Sequence, residues 1–320
     1  MKALVTGYKG FIGSHVYSHL VGLGFDVTGI DFPIDIGNFA EYSDLYNPKF
    51  DVVIHLAAFA ALRDSIENPN KFWENNVEKS QPIFDYCREN NVRLLYASSA
   101  GAHGWWQNPY AITKKVNEVQ APPNSVGMRF FNVWAEEGSR NDMLYRMLQE
   151  GTAKYLTRHR RDWIHVDDVV SAIGHLIPST HTGYIDIGTG EETSVLELAE
   201  AMGMGHLPIK EDTPGEPDSL CADTRELRNL GWFPTINIMD HLQTNESSKL
   251  AASFQEGTET PPQTTSLTTG KKKKKPLKKV STKPFSTKGF RLLWPYRNRE
   301  QWQYNTKSNH NLLNYLQQKI

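Results

Sequence analysis

The chain has 320 residues, 39% of them hydrophobic, with 35 lysines and arginines against 36 aspartates and glutamates. That supports one sizeable core or two modest ones. The only cysteines, Cys87 and Cys221, argue against a disulfide scaffold and, lying outside any Cys/His cluster, against structural zinc, so no metal is expected. No run reaches the roughly 18 apolar residues of a membrane span, and the start, Met1 to Gly7, has too short an apolar run for a signal peptide. A soluble, cytoplasmic protein is expected.

In chain order, Ala3 to Thr6 is a short apolar run closed by Gly7 and reads as a buried strand. Phe11 to Leu23 reads as a helix, with Ile12, Val16, Leu20 and Leu23 at helical spacing. Phe25 to Ile30 is a second strand, closed by Asp31, and Asp51 to Leu56 a third, followed by Ala57 and Ala58. A full helix and strand barely fit between Asp31 and Asp51. The sheet is therefore expected to be trimmed, with Ile34-Asp35-Ile36 a remnant edge strand. Arg93 to Ser98, Ser125 to Phe131, Trp163 to Val166 and Tyr184 to Ile187 read as further strands. Asn141 to Gly151, Val166 to Leu176 and Ser194 to Met204 read as helices, the last opened by a capping box of Ser194 and Glu197. Alternating strands and helices imply a parallel sheet covered on both faces.

The ordered pattern stops near Leu242. Residues 1–242 carry 20 basic against 32 acidic side chains, and residues 243–320 carry 15 against 4. A stretch rich in Ser, Thr, Gln and Glu leads into the basic run Lys271–Lys279. Such a composition buries too little to offset its ordering entropy, so disorder is expected. The lysine run could contact nucleic acid or an anionic surface; a solvated tail is the simpler reading.

Gly7-Tyr8-Lys9-Gly10-Phe11-Ile12-Gly13 follows the first strand and opens the first helix. Glycines let backbone approach a pyrophosphate, and the helix start supplies N–H groups and a positive dipole end. The spacing is G-x-x-G-x-x-G, and no Gly-Lys-Ser/Thr follows as a Walker A loop would require. Asp31 stands where a carboxylate can accept a ribose 2′-OH and repel a 2′-phosphate, which favours NAD over NADP. Asp35 caps the next turn or sits with Ile36 near the adenine.

Asn108 reads as a helix N-cap and Pro109 as its first residue, which puts Tyr110 and Lys114 on one face. An ammonium beside a phenol favours phenolate and lowers its pKa, so the phenol could exchange a proton with a hydroxyl near neutral pH. Tyr96 to Gly104 ends a strand just upstream and places serines in reach.

With these stretches in family order, the chain resembles the extended short-chain dehydrogenase/reductases, in their NAD-dependent epimerase/dehydratase branch. The matching segments are Thr6–Gly13, Asp51–Ala58, Asn76-Val77, Tyr96–Gly104, Pro109–Lys114, Arg129–Val133, Arg161–Asp168 and Gly188–Gly190, together covering roughly residues 1–242. The resemblance implies an α/β fold: a Rossmann-type doubly wound parallel sheet with a small C-terminal substrate-binding subdomain. Residues 1–125 would form the NAD-binding core with the Tyr/Lys helix. Residues 126–242 would supply the remaining strands and the subdomain, and 243–320 the tail. It further implies Ser99, Tyr110 and Lys114 as catalytic residues, with Lys114 also on the nicotinamide ribose. Gly7, Gly10, Phe11, Ile12, Gly13, Asp31, Asp35, Ile36, Leu56, Ala57, Ala58 and Asn76 would line NAD. Asn132, Arg140 and Arg161 would meet a nucleotide-sugar, Arg161 at its diphosphate, and a homodimer is expected.

The family's 4,6-dehydratases carry Asp-Glu after the catalytic residue; Ala100-Gly101 stand there and can carry no proton. What remains is oxidation at C4 and return of the hydride: a 4-epimerase acting on a UDP-sugar or UDP-uronate. The alternatives are a 4-keto reductase or dehydrogenase and a non-catalytic dinucleotide-binding protein. The segment His55 to Pro69 and Arg140-Asn141-Asp142-Met143 resemble glucuronate 4-epimerases, whose arginine pairs with the substrate carboxylate. Departures are the short Ser99–Tyr110 interval, His103 in place of a tyrosine, and Thr213 in place of an arginine.

Overall fold

The computed structural model describes residues 1–39, 49–211 and 215–244. The chain divides into two units, Met1–Pro261 and Pro262–Ile320. The second unit, and with it the lysine run, lies outside the described residues, as does Thr213.

Strand β1 (Lys2–Thr6) leads through the glycine loop into α1 (Phe11–Gly22) and back to β2 (Asp26–Ile30). Alternate β1 residues serve opposite faces of the sheet: Ala3 and Val5 join a core with Val16 and Leu20 of α1, and Leu4 joins a second core. The expected edge strand at 34–36 is instead a 3-10 turn, Ile36–Asn38. Asp35 drives it: its carboxylate accepts the Gly37 N–H at 2.9 Å, while Ile36 is buried in the second core.

β3 (Val52–His55) is buried throughout. Two short helices, α2 (Leu62–Glu67) and α3 (Pro69–Trp73), and a π-helical turn, Glu74–Glu78, then lead into α4 (Gln81–Asn90). β4 (Arg93–Ser99) runs through a 3-10 segment, Ala100–Gln107, into α5 (Pro109–Gln120). β5 (Ser125–Phe130), β6 (Asn132–Trp134), α6 (Leu144–Gln149), β7 (Arg160–His165) and α7 (Val166–Leu176) follow. Last come β8 (Gly183–Ile187), β9 (Glu192–Ser194), α8 (Val195–Ala201), β10 (Ser219–Leu220) and α9 (Arg225–Asn229). Helix α6 is shorter than the expected 141–151. Met143 is extended and caps it without a side-chain bond, and Arg140 is paired with Asp142 ahead of it.

The main sheet has the order β2-β1-β3-β4-β5-β8, and every neighbouring pair is parallel. Among the described residues it ends at β2. Strand order reverses between β1 and β3, which opens a crevice at their carboxyl ends. A small sheet, β10-β7-β6 with β9 antiparallel to β7, sits on its own core of Trp134, Tyr145, Leu148, Trp163 and Leu198.

Candidate active site

The glycine loop is shaped by contacts that exclude side chains. Gly7 has φ +72°, and a Cβ there would stand 2.7 Å from the Ala57 nitrogen; one on Gly13 would stand 2.0 Å from the Gly7 oxygen. Gly10 caps α1 with no side chain, so the N–H groups of Phe11 and Ile12 open the helix uncovered. That donor set fits a pyrophosphate, and the absence of a capping carboxylate keeps the dipole end positive.

Asp31 follows β2 at the lip of this loop, accepting the Lys9 N–H at 2.8 Å and the Phe32 N–H at 2.7 Å. Leu56 and Ala57 run alongside, their N–H groups held by the Thr6 carbonyl and hydroxyl at 3.1 and 3.3 Å. Two expected cofactor contacts turn out otherwise engaged. The Asp35 carboxylate is held by Lys79 at 2.9 Å and by Gly37, and its pKa is lowered chiefly by the Lys79 bond. Asn76 is fully buried: its amide accepts from Phe59 N–H at 2.8 Å and donates to the Phe59 carbonyl at 2.9 Å and to Thr113 at 3.2 Å. Its side chain shapes the crevice by holding the 57–59 backbone.

Ser99 ends β4 and caps the 3-10 segment, its hydroxyl accepting the Gly101 N–H at 3.1 Å. Its neighbour Ser98 donates to Glu118 at 2.7 Å on the far side of the strand, so the alternation of β4 leaves Ser99 as the serine beside Tyr110. Asn108 caps α5 by accepting from Ala111 N–H at 2.8 Å, Pro109 opens the helix, and the Tyr110 N–H is taken by Ser65 at 3.1 Å. The Tyr110 ring packs edge-on against Phe72, with centroids 6.3 Å apart.

Lys114 lies one turn on and is buried, donating to the Ala97 carbonyl at 2.7 Å, with Nζ 5.8 Å from the Tyr110 ring centre. The electrostatics differ from the simple expectation. Burial pushes the Tyr110 phenol up, against the opposing pull of the Ser99 hydrogen bond and of Arg140. Burial also pulls the Lys114 ammonium down, to about 7. A buried ammonium is too costly to serve as a constant full charge beside the phenol.

Of the expected substrate residues, Asn132 opens β6, directly after the main sheet. Arg140 is half-exposed and bidentate on Asp142 at 2.9 and 3.0 Å. Arg161 is buried and donates to the carbonyls of Arg160 and Asp218 at 2.8 and 3.2 Å, with Glu216 at 3.7 Å. Its sequence neighbour Asp162 is no partner. That carboxylate is fully buried and takes the N–H groups of Thr189, Gly190 and Ala222.

Two networks were not singled out in the sequence. His55 bridges Thr6 at 2.7 Å and Ser80 at 2.9 Å beneath the crevice, and burial holds its pKa down near 3, so it is neutral. Glu118 of α5 is bidentate on Arg129 of β5 at 2.7 Å. Arg129 reaches His103 at 3.3 Å, and His103 bonds Asp186 of β8 at 2.9 Å. Charged residues inside otherwise apolar strands were the available signal.

A doubly wound parallel sheet, a glycine loop at the reversal of strand order and a Ser/Tyr/Lys group on the adjoining strand and helix define a dinucleotide-binding α/β protein. The NAD-dependent epimerase/dehydratase family matches over residues 3–188, and the chain belongs to it. Protein CapI of Staphylococcus aureus is 30% identical, across 75% of this chain and 96% of its own length. A UDP-glucose 4-epimerase of Pisum sativum is 26% identical, across 72% and 90%. The solved structure of MoeE5 with UDP-glucuronic acid and NAD is 25% identical, with a TM-score of 0.66, covering 78% of this chain and all of that one. No described helix is long and apolar enough to cross a membrane.

Proposed function

We propose that the chain is a nucleotide-sugar 4-epimerase that transiently oxidises C4 of a UDP-sugar, with UDP-uronates the favoured class. The observation that carries this reading is the convergence of Ser99, Tyr110 and Lys114 beside the glycine crevice, with Ala100 and Gly101 where a dehydratase needs acids. NAD bound in the crevice supplies a hydride acceptor and, for the return step, a donor.

The chain's own part is alignment and proton transfer. Tyr110 takes the C4 hydroxyl proton at its phenolate oxygen and returns it after the sugar has presented its other face. Burial favours the neutral phenol, so the Ser99 hydroxyl and the Arg140 charge, both of which favour phenolate, make the base accessible. Ser99 also holds the oxygen that loses the proton. Lys114 is assigned the nicotinamide ribose, to which it would donate and beside which it would carry charge. Arg161 is assigned the substrate diphosphate, where a guanidinium fork suits, and Arg140 the sugar carboxylate. The uronate preference draws on Arg140 alone, since the similar MoeE5 was solved both with UDP-glucuronic acid and with UDP-glucose.

The deciding experiment is incubation with NAD and a panel of UDP-, GDP- and dTDP-sugars, separated by mass and retention time. Products of unchanged mass and shifted retention support epimerisation. Loss of water, net reduction, or no conversion of any sugar would sink it.

A further inference from the structure

Two histidines from distant parts of the chain meet on one carboxylate beside the loop that carries Arg140. Glu136 follows β6 at the start of that loop. Its Oε2 lies 3.2 Å from Nε2 of His165, and its Oε1 lies 2.6 Å from Nε2 of His241. His165 closes β7 and caps α7: its Nδ1 accepts the Asp167 N–H at 3.3 Å, which leaves Nε2 as the ring nitrogen that faces Glu136. His241 stands in the helical stretch 238–244, whose Ile238 is buried in the small-sheet core. The Trp134 indole packs against both imidazoles, with ring centres 4.7 and 5.0 Å away, and against Tyr145 of α6 at 4.9 Å.

Both histidines are rooted in elements with buried side chains, whereas Glu136 is half-exposed and belongs to the loop. Further along, the Ser139 hydroxyl donates to the Ala135 carbonyl, Arg146 donates to the Ser139 carbonyl, and Met143 N–H meets the Arg140 carbonyl at 3.1 Å. Arg140 follows Ser139 directly in this loop, and its guanidinium is held within the same loop by Asp142 at 2.9 and 3.0 Å. Charge-assisted bonds of this kind are roughly twice as strong as neutral ones.

We propose that Glu136 is a positioning residue: clamped by His165 and His241 against Trp134, it anchors the loop that carries the Arg140–Asp142 pair and so sets where the Arg140 guanidinium is presented. The Arg140 half of this rests on the function proposed above, in which Arg140 meets a sugar carboxylate.

The test uses full-length wild type, Glu136→Gln, His241→Ala and His241→Gln. Hydrogen exchange across residues 136–143 should quicken about tenfold in Glu136→Gln and His241→Ala, and return toward wild type in His241→Gln, whose amide keeps an N–H donor. With NAD present, Glu136→Gln should raise KM for a UDP-uronate about tenfold and for a neutral UDP-hexose about twofold, with kcat for both within about threefold. Unchanged loop exchange overturns the anchor. Equal KM shifts for the two sugars, or a wild type that accepts only the neutral hexose, overturn the link to Arg140. A wild type that turns over no nucleotide-sugar brings down the proposed function and the Arg140 half with it, while the exchange measurement still decides the anchor.

Discussion

At the scale of single residues, Tyr110 is the sharpest commitment. Tyr110→Phe keeps the ring against Phe72 and removes only the proton carrier. Turnover should fall at least ~10²-fold while NAD affinity, read by titration, stays within a few-fold. Activity within a factor of two of wild type would remove the phenol from the mechanism. Asp31 sets a second test. NAD(H) should bind more tightly than NADP(H), and Asp31→Ala should narrow the gap, because the carboxylate at the loop lip repels a 2′-phosphate. Lys114 gives a stability signature that needs no substrate. Its folded pKa of about 7 lies below the ordinary lysine value of 10.5, so between those values the unfolded chain binds a proton that the folded chain does not. Stability should therefore rise with pH across that window from this group. Urea melts at pH 7 and pH 9 should show the rise in wild type and a flatter response in Lys114→Met.

Elements are held by local chemistry that can be removed one bond at a time. Helix α8 begins with a reciprocal capping box: Ser194 accepts the Glu197 N–H at 3.0 Å, and Glu197 accepts the Ser194 N–H at 2.9 Å. Ser194→Ala should cost about 1 kcal/mol and lower the melting temperature by a few degrees without touching NAD affinity. The box was legible because its two residues are three apart in the chain. The 3-10 turn at Ile36 was not. Alternating apolar residues at 34 and 36 match a strand, and only the Asp35 bonds to Gly37 and Lys79 show which competing local structure wins.

Across the whole molecule, the Glu118–Arg129 pair ties α5, with its Tyr110 and Lys114, to the centre of the sheet, and both side chains are almost fully buried. Glu118→Gln removes the bidentate carboxylate partner of a buried guanidinium, leaving it the His103–Asp186 side, and should destabilise by about 3 kcal/mol in denaturant melts; adding Arg129→Met should recover much of it. Burial alone would raise the Glu118 pKa, but the bonds from Arg129 and Ser98 outweigh it and hold it below the ordinary glutamate value of 4.5. Its stabilisation is then complete above that value and lost as pH falls through the folded pKa, so acid unfolding should be blunted in Glu118→Gln. A double variant no more stable than the single one would argue against the pair as the link.

The parallel sheet, the glycine loop and the Asn108–Pro109 helix start could be read from residue order, because each rests on residues close in the chain or on two- and four-residue periodicity; the preference for Ser99 over Ser98 rests on the family resemblance. Tertiary structure alone decided the partners of the charged groups. Arg161 faces Glu216 rather than Asp162, Asn76 spends its amide on the Phe59 backbone, and Glu136 draws in His241 from far along the chain. It also reversed the sign of the Tyr110 shift. A charge four residues away predicts a lowered phenol, but desolvation depends on everything packed around the site, and no local pattern encodes that.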